Sequence, residues 1–182
     1  MDRIAAQADL RKAHLNGAPG VLVSGLVWLA SGLTWHLVGP SEAFIFLFFG
    51  GVAIAPVAAL LTRFLFKAPP ATIGKPLEKI ALVTVPIILA GFYFAWRWFG
   101  MKSAEAIPVV AIAIGLRYLT FKAMFGTGAF LMLGGTFILI GTAALLVGSN
   151  LAGAAALLLG LVELAFFAAL YRTWRRPLGG GA

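Results

Sequence analysis

Two charged residues stand inside long apolar runs, where a charge needs a reason. Glu163 lies in the run Leu151 to Tyr171, and Arg117 lies in the run Ala106 to Phe125. Each stands eight residues from the same-side end of its run, about 12 Å at ~1.5 Å per helical residue. A charge at the centre of a bilayer costs at least ~2.5–3.5 kcal/mol, so pairing, protonation or an aqueous cavity must offset it. Glu163 shares a helical face with Ala156, Gly160 and Phe167, a small-residue face suited to inward packing. The two depths are close enough for a long arginine to bridge. One reading is an ion, proton or anionic-substrate site between the fourth and sixth helices. The other is a buried ion pair that fixes helix register.

Other candidates are weaker. His36, near the far end of the first run, could accept a proton or bind a ligand together with Glu42, although a polar group satisfied by interfacial water explains it as well. Trp28 sits mid-span, away from the interface where Trp35, Tyr93, Trp96, Trp98, Tyr171 and Trp174 fall. Pro56 and Pro86 interrupt the second and third runs, and Gly141 and Gly160 hold roughly matching places in the second half. Interrupted helices in corresponding places point to a transporter's binding site, although prolines also kink membrane helices that bind nothing. The chain has no cysteine and two histidines, one of them, His14, ahead of the first apolar run. Disulfides, thiolate chemistry and cysteine-held clusters are excluded. No nucleophile–base pair, paired carboxylates or metal-ligand cluster is legible. An enzyme, a bound metal and a cofactor are therefore not expected.

Six elements must position these residues. They run Gly20 to Val38, Ala43 to Phe66, Ile80 to Phe99, Ala106 to Phe125, Ala129 to Gly148 and Leu151 to Tyr171. Each has the roughly 20 apolar residues that a spanning helix needs. With 62% hydrophobic and 11% charged residues, the chain reads as an all-α, polytopic membrane protein forming a single transmembrane domain over residues 1–182. Residues 1–16 are expected to form an interfacial helix with Ile4, Ala8 and Leu15 on one side, ended by Pro19. Residues 20–171 are the six-helix bundle, and 177–182 a loose tail. The proline- and lysine-rich stretch Lys67 to Lys79 is the longest connection.

The net charge of +8 is not a nucleic-acid signal, because its distribution follows membrane topology. Leaving Arg117 aside, eleven basic residues fall on the side that carries both termini and the 67–79 connection, against Arg97 and Lys102 on the other. The positive-inside rule makes the richer side cytoplasmic. The partner so implied is the lipid bilayer.

Glycines recur every seven residues at Gly25, Gly32 and Gly39, at Gly134, Gly141 and Gly148, and at Gly153 and Gly160. Small residues let membrane helices approach closely, so Gly134, Gly141 and Gly160 are expected at helix contacts, with Leu159 under less demand. Leu33 to Phe44 also resembles Leu119 to Phe130, each followed by Gly-Gly and an apolar run ending Ala-Ala-Leu-Leu. A repeat of three helices would set its second copy upside down in the membrane, giving two inverted three-helix units.

The runs Gly-Ala-Pro-Gly-Val-Leu-Val-Ser-Gly-Leu-Val-Trp-Leu (Gly17 to Leu29) and Gly-Leu-Arg-Tyr-Leu-Thr-Phe-Lys-Ala-Met-Phe-Gly (Gly115 to Gly126) resemble a bacterial family of small multi-pass membrane proteins with no assigned function. The resemblance spans most of the chain, implies a bacterial inner membrane and supplies no catalytic residue. The functional expectation is a transporter-like protein that binds a small solute or ion, alone or as a homodimer. The alternative is a structural or accessory subunit of a larger membrane complex, its glycine faces serving as contact surfaces.

Overall fold

A computed structural model describes residues 2–148 and 151–175. Among them the chain is helical throughout, with no strand: α1 (Arg3–Ala13), α2 (Ala18–Leu37), α3 (Pro40–Leu60), α4 (Lys79–Val83), α5 (Val85–Phe94), α6 (Ala106–Phe125), α7 (Ala129–Val147) and α8 (Ala152–Arg175). Six stretches are long and apolar enough to cross a membrane, with α4 and α5 forming one of them across a break. Ser149, Asn150, Arg176 and the tail 177–182 lie outside the described residues.

The helices arrange around two centres. α2 packs on α3 and, antiparallel, on α8, while α6 packs on α7 and α5. α8 joins the groups by touching α6 and α7 as well. Glycines set the closest crossings. A Cβ on Gly160 would meet the Gly25 carbonyl at 2.8 Å, and one on Gly134 would meet the Gly115 carbonyl at 2.6 Å. Gly141 likewise abuts the Pro108 carbonyl, so all three glycines expected at contacts are there. Leu159 is fully buried, however, so it is a demanding site and not a permissive one.

At the extremes, burial runs against apolarity. The first and fourth spans, the least apolar, have 50% and 44% of their residues buried, whereas the second, the most apolar, has 11%. Lipid is as apolar as leucine, so apolar faces gain nothing by turning inward, and small and polar residues collect inside instead.

The N-terminal helix is held differently from expectation. Ile4 is 76% exposed, and the packed face is Ala6, Leu10 and Ala13. Polar anchors supply the rest: Gln7 donates to the Ala123 carbonyl (3.0 Å) and Arg11 to that of Phe125 (2.7 Å). Both cap the C-terminus of α6, where carbonyls lack helix donors and a cation is favoured. Pro19 does not end α1 but opens α2 in its first turn, where its missing N–H costs nothing. The break comes at Leu15, Asn16 and Gly17, all at positive φ (51°, 57° and 82°). Asn16 tolerates this because its side chain donates to the Leu170 carbonyl and Thr173 Oγ1, both at 3.2 Å.

Candidate functional site

The crossing of Gly25 and Gly160 brings α2 so near α8 that the short Ser24 side chain reaches Glu163. Glu163 is fully buried, and its Oε1 accepts a hydrogen bond from Ser24 Oγ (2.8 Å) and a second from the Tyr118 hydroxyl. Ser24 and Tyr118 are themselves 3.4 Å apart. Residues from α2, α6 and α8 thus meet at one oxygen. The other oxygen, Oε2, is buried with no partner among the described residues.

Arg117 is elsewhere. Its Nη2 donates to the Ala81 carbonyl (3.0 Å), its Nε to Thr84 Oγ1 (3.4 Å), and its guanidinium lies 5.2 Å from the centre of the Phe121 ring. The expected direct ion pair with Glu163 is not formed: the one pair within 4.0 Å among the described residues is His14–Glu78. Depth matched, but direction did not. Successive helical residues point about 100° apart, so Tyr118 turns toward α8 while its neighbour Arg117 turns toward α4. Sequence reasoning passed over Tyr118 and Thr84. Tyr118 carried a usable signal, being the one tyrosine adjacent to the arginine inside a span.

The arginine also explains the third span. Pro86 has no N–H to donate, and the helix breaks two residues earlier at Thr84 (φ −91°, ψ −2°). Thr84 Oγ1 turns back to the Ile80 carbonyl (2.8 Å), and Arg117 takes the next carbonyl, Ala81. Pro56, by contrast, sits within an unbroken helix, and both prolines are exposed outside the site.

A cavity of about 870 Å³ lies between the two helix groups. Ser24 and Trp28 of α2, Arg117 and Tyr118 of α6, and one face each of α3 and α5 line it. Trp28 is buried and meets Phe137 edge-on at 5.6 Å. At one end Phe92 of α5 closes on Phe44 and Phe48 of α3, at 5.4 and 5.2 Å. Toward the end that carries α1 the lining turns polar, with Thr62, Arg63, Lys75 and the His14–Glu78 pair (2.9 Å). α1 straps this end. Asp9 accepts from the backbone N–H groups of Gly74 (2.9 Å) and Thr72 (2.7 Å), and these bonds hold its carboxyl below the usual carboxylate range.

His36 and Glu42 are exposed at the opposite end, with no hydrogen bond between them and no share in the cavity. Glu42 borders a separate shallow hollow beside Thr34 and Phe46.

Residues 4–173 match a family of unknown function, DUF7010. The chain belongs to this family. The match covers all of the Glu163 cluster, Arg117 and the cavity, so these features sit within the family's own domain. No curated protein and no solved structure matches the chain.

Proposed function

We propose that this DUF7010 chain is a transporter-like protein of the bacterial inner membrane that binds a small anionic solute in the cavity beside α6. The observation that carries this reading is Arg117. Its guanidinium is half-buried on the cavity wall, with no carboxylate within 4.0 Å among the described residues and with N–H donors beyond those given to Ala81 and Thr84. A guanidinium offers five N–H donors in a planar fork suited to carboxylate or phosphate, and low surrounding polarity strengthens the attraction. Ser24 and Tyr118, the two donors to Glu163 at the polar site between the fourth and sixth spans, line the same cavity.

The helix arrangement supports two inverted repeats that exchange their third helices. α2 gathers α3 and α8, just as α6 gathers α7 and the α4–α5 span. The positive-inside count places the α1 end in the cytoplasm, so the cavity's polar mouth would face the cytosol. Ile73, exposed in the 67–79 connection, gives a test of orientation: Ile73→Cys should react with an impermeant thiol reagent only after permeabilisation. The accessory-subunit reading loses ground, because Gly25, Gly115, Gly134, Gly141 and Gly160 are occupied by contacts within the chain.

Trp28 reports on the cavity directly. Hexyl phosphate or hexanoate should change its fluorescence saturably, and hexanol should not. Trp28→Phe should remove the signal, and Arg117→Gln should weaken binding about tenfold or more, the scale of a charge-assisted contact. Equal responses to the anions and the alcohol would defeat the reading.

A further inference from the structure

We infer that the anion is a lipid, an anionic glycerophospholipid of the bilayer that enters sideways through the seam between α3 and α5. This rests on the anion-binding reading above and names the class of ligand.

The seam is the first observation. α3 packs on α2 and α5 packs on α6, and neither makes an extended contact with the other. They meet through Phe44, Phe48 and Phe92 at the end far from α1, and along the rest of their length the cavity lies between them. Their flanks toward the surroundings are apolar and exposed: Val52 is 64% and Leu89 50% exposed, and both line the cavity. A water-soluble ligand would gain nothing from such a side door, whereas an acyl chain passes from lipid to cavity without crossing water.

The second observation is the order of chemistry along the cavity. Apolar side chains, among them Val27, Leu47, Phe48, Ile88 and Phe92, line the end closed by the phenylalanines. Basic groups take over toward the α1 end: Arg117 first, then Arg63 and Lys75 at the mouth. The acid at that mouth, Glu78, lies against His14 and within 4.0 Å of no lysine or arginine among the described residues. This is the profile of an amphiphile with its anionic head toward α1 and its chain pointing away. Cations near the cytoplasmic surface also draw anionic lipids. A cavity of 870 Å³ falls within the range for ligands of moderate size, so one chain goes inside while the open seam lets the second remain in the bilayer.

The experiment is native mass spectrometry of the purified full chain with dioleoyl phosphatidylglycerol, dioleoyl phosphatidylcholine and glycerol 3-phosphate. Phosphatidylglycerol should be retained about tenfold better than phosphatidylcholine, a preference that Arg117→Gln abolishes and Arg117→Lys partly keeps. Filling the seam with Ala55→Trp, or from the facing wall with Leu89→Trp, should reduce lipid retention while hexyl phosphate still perturbs Trp28. Two variants on different helices keep the test alive if one misfolds. Binding of glycerol 3-phosphate as tight as that of the lipid would overturn the inference, as would undiminished lipid retention in both seam variants. If hexyl phosphate binds through Arg117 but phosphatidylglycerol shows no preference, the lipid inference falls and the anion reading stands. If neither binds, both fall.

Discussion

The seam between α7 and α8 and the seam between α3 and α5 hold corresponding places in the two-centred arrangement, yet one is in contact and the other stands open. Apolarity does not separate them, since all four helices are strongly apolar. The placement of small residues does. α8 is small on more than one face: Gly153 and Gly160 approach α2, and Ala152, Ala155 and Ala156 are buried too, so α8 can lie against both helix groups at once. α3 and α5 each turn a glycine to their own group, Gly50 toward Val27 and Gly91 toward Ala113, while Gly51 borders the cavity with nothing near it. In a solvent of lipid tails, two apolar faces have no cause to close unless their backbones can come near.

The harshest way to break the closed side is Gly160→Leu. A leucine there meets the Gly25 carbonyl and Leu29, and overpacking of this kind should cost about 3 kcal/mol or more, visible as a large fall in Tm in detergent. Leu158, 48% exposed on the same helix, is the control, and Leu158→Ala should leave Tm nearly unchanged. Similar losses in both would mean that the crossing does not decide the packing.

A smaller effect is expected at the joint between the groups. Tyr118→Phe removes one of the two donors to Glu163 Oε1 and should cost about 1–3 kcal/mol, the range for an unsatisfied buried polar group. Combined with Ser24→Ala it should be non-additive, because both hydroxyls serve the same oxygen. Strict additivity in a double-mutant cycle would show that they act apart. On the open side, Val52→Ala should stay within about 0.5 kcal/mol, as for an exposed position away from special features. A marked loss of Tm there would mean that the seam closes in the membrane.

The mildest change concerns the strap. Because backbone N–H groups lower the folded pKa of Asp9, its tie to the 67–79 connection is in place above the unfolded value and is lost as pH falls through the folded one. Protease cleavage of that connection should therefore be slow at neutral pH and should rise only below the ordinary carboxylate range. Asp9→Asn should show fast cleavage already at pH 7, and equal rates for both proteins would remove the strap from the account.

Much of this architecture was legible because bilayer thickness sets the length of apolar runs: the run Ala106 to Phe125 matches α6 residue for residue. Glu163 was legible as buried because a lone acid in such a run has few other places to go. Its partners were not. Depth can be counted along a sequence, whereas direction around the axis depends on how neighbouring helices turn, and one residue separates the side facing α8 from the side facing α4. Pro86 and Arg117 were each visible, but not that one supplies a donor where the other breaks a helix. The break after α1 was misplaced at Pro19 because proline is the louder signal, while Asn16 held by the last helix is a long-range effect.

The ranking of spans by apolarity also bears on the order in which the membrane receives them. α2 is the least apolar span, and its main partner, α8, is the last of the six to leave the ribosome. With Ser24 and Ser31 on its buried face, α2 enters the bilayer without the helix that covers it, while the more apolar α3 needs no such cover. Five further spans must be synthesised before Ser24 finds Glu163. Assembly of the α2 half therefore waits for the last of the six spans.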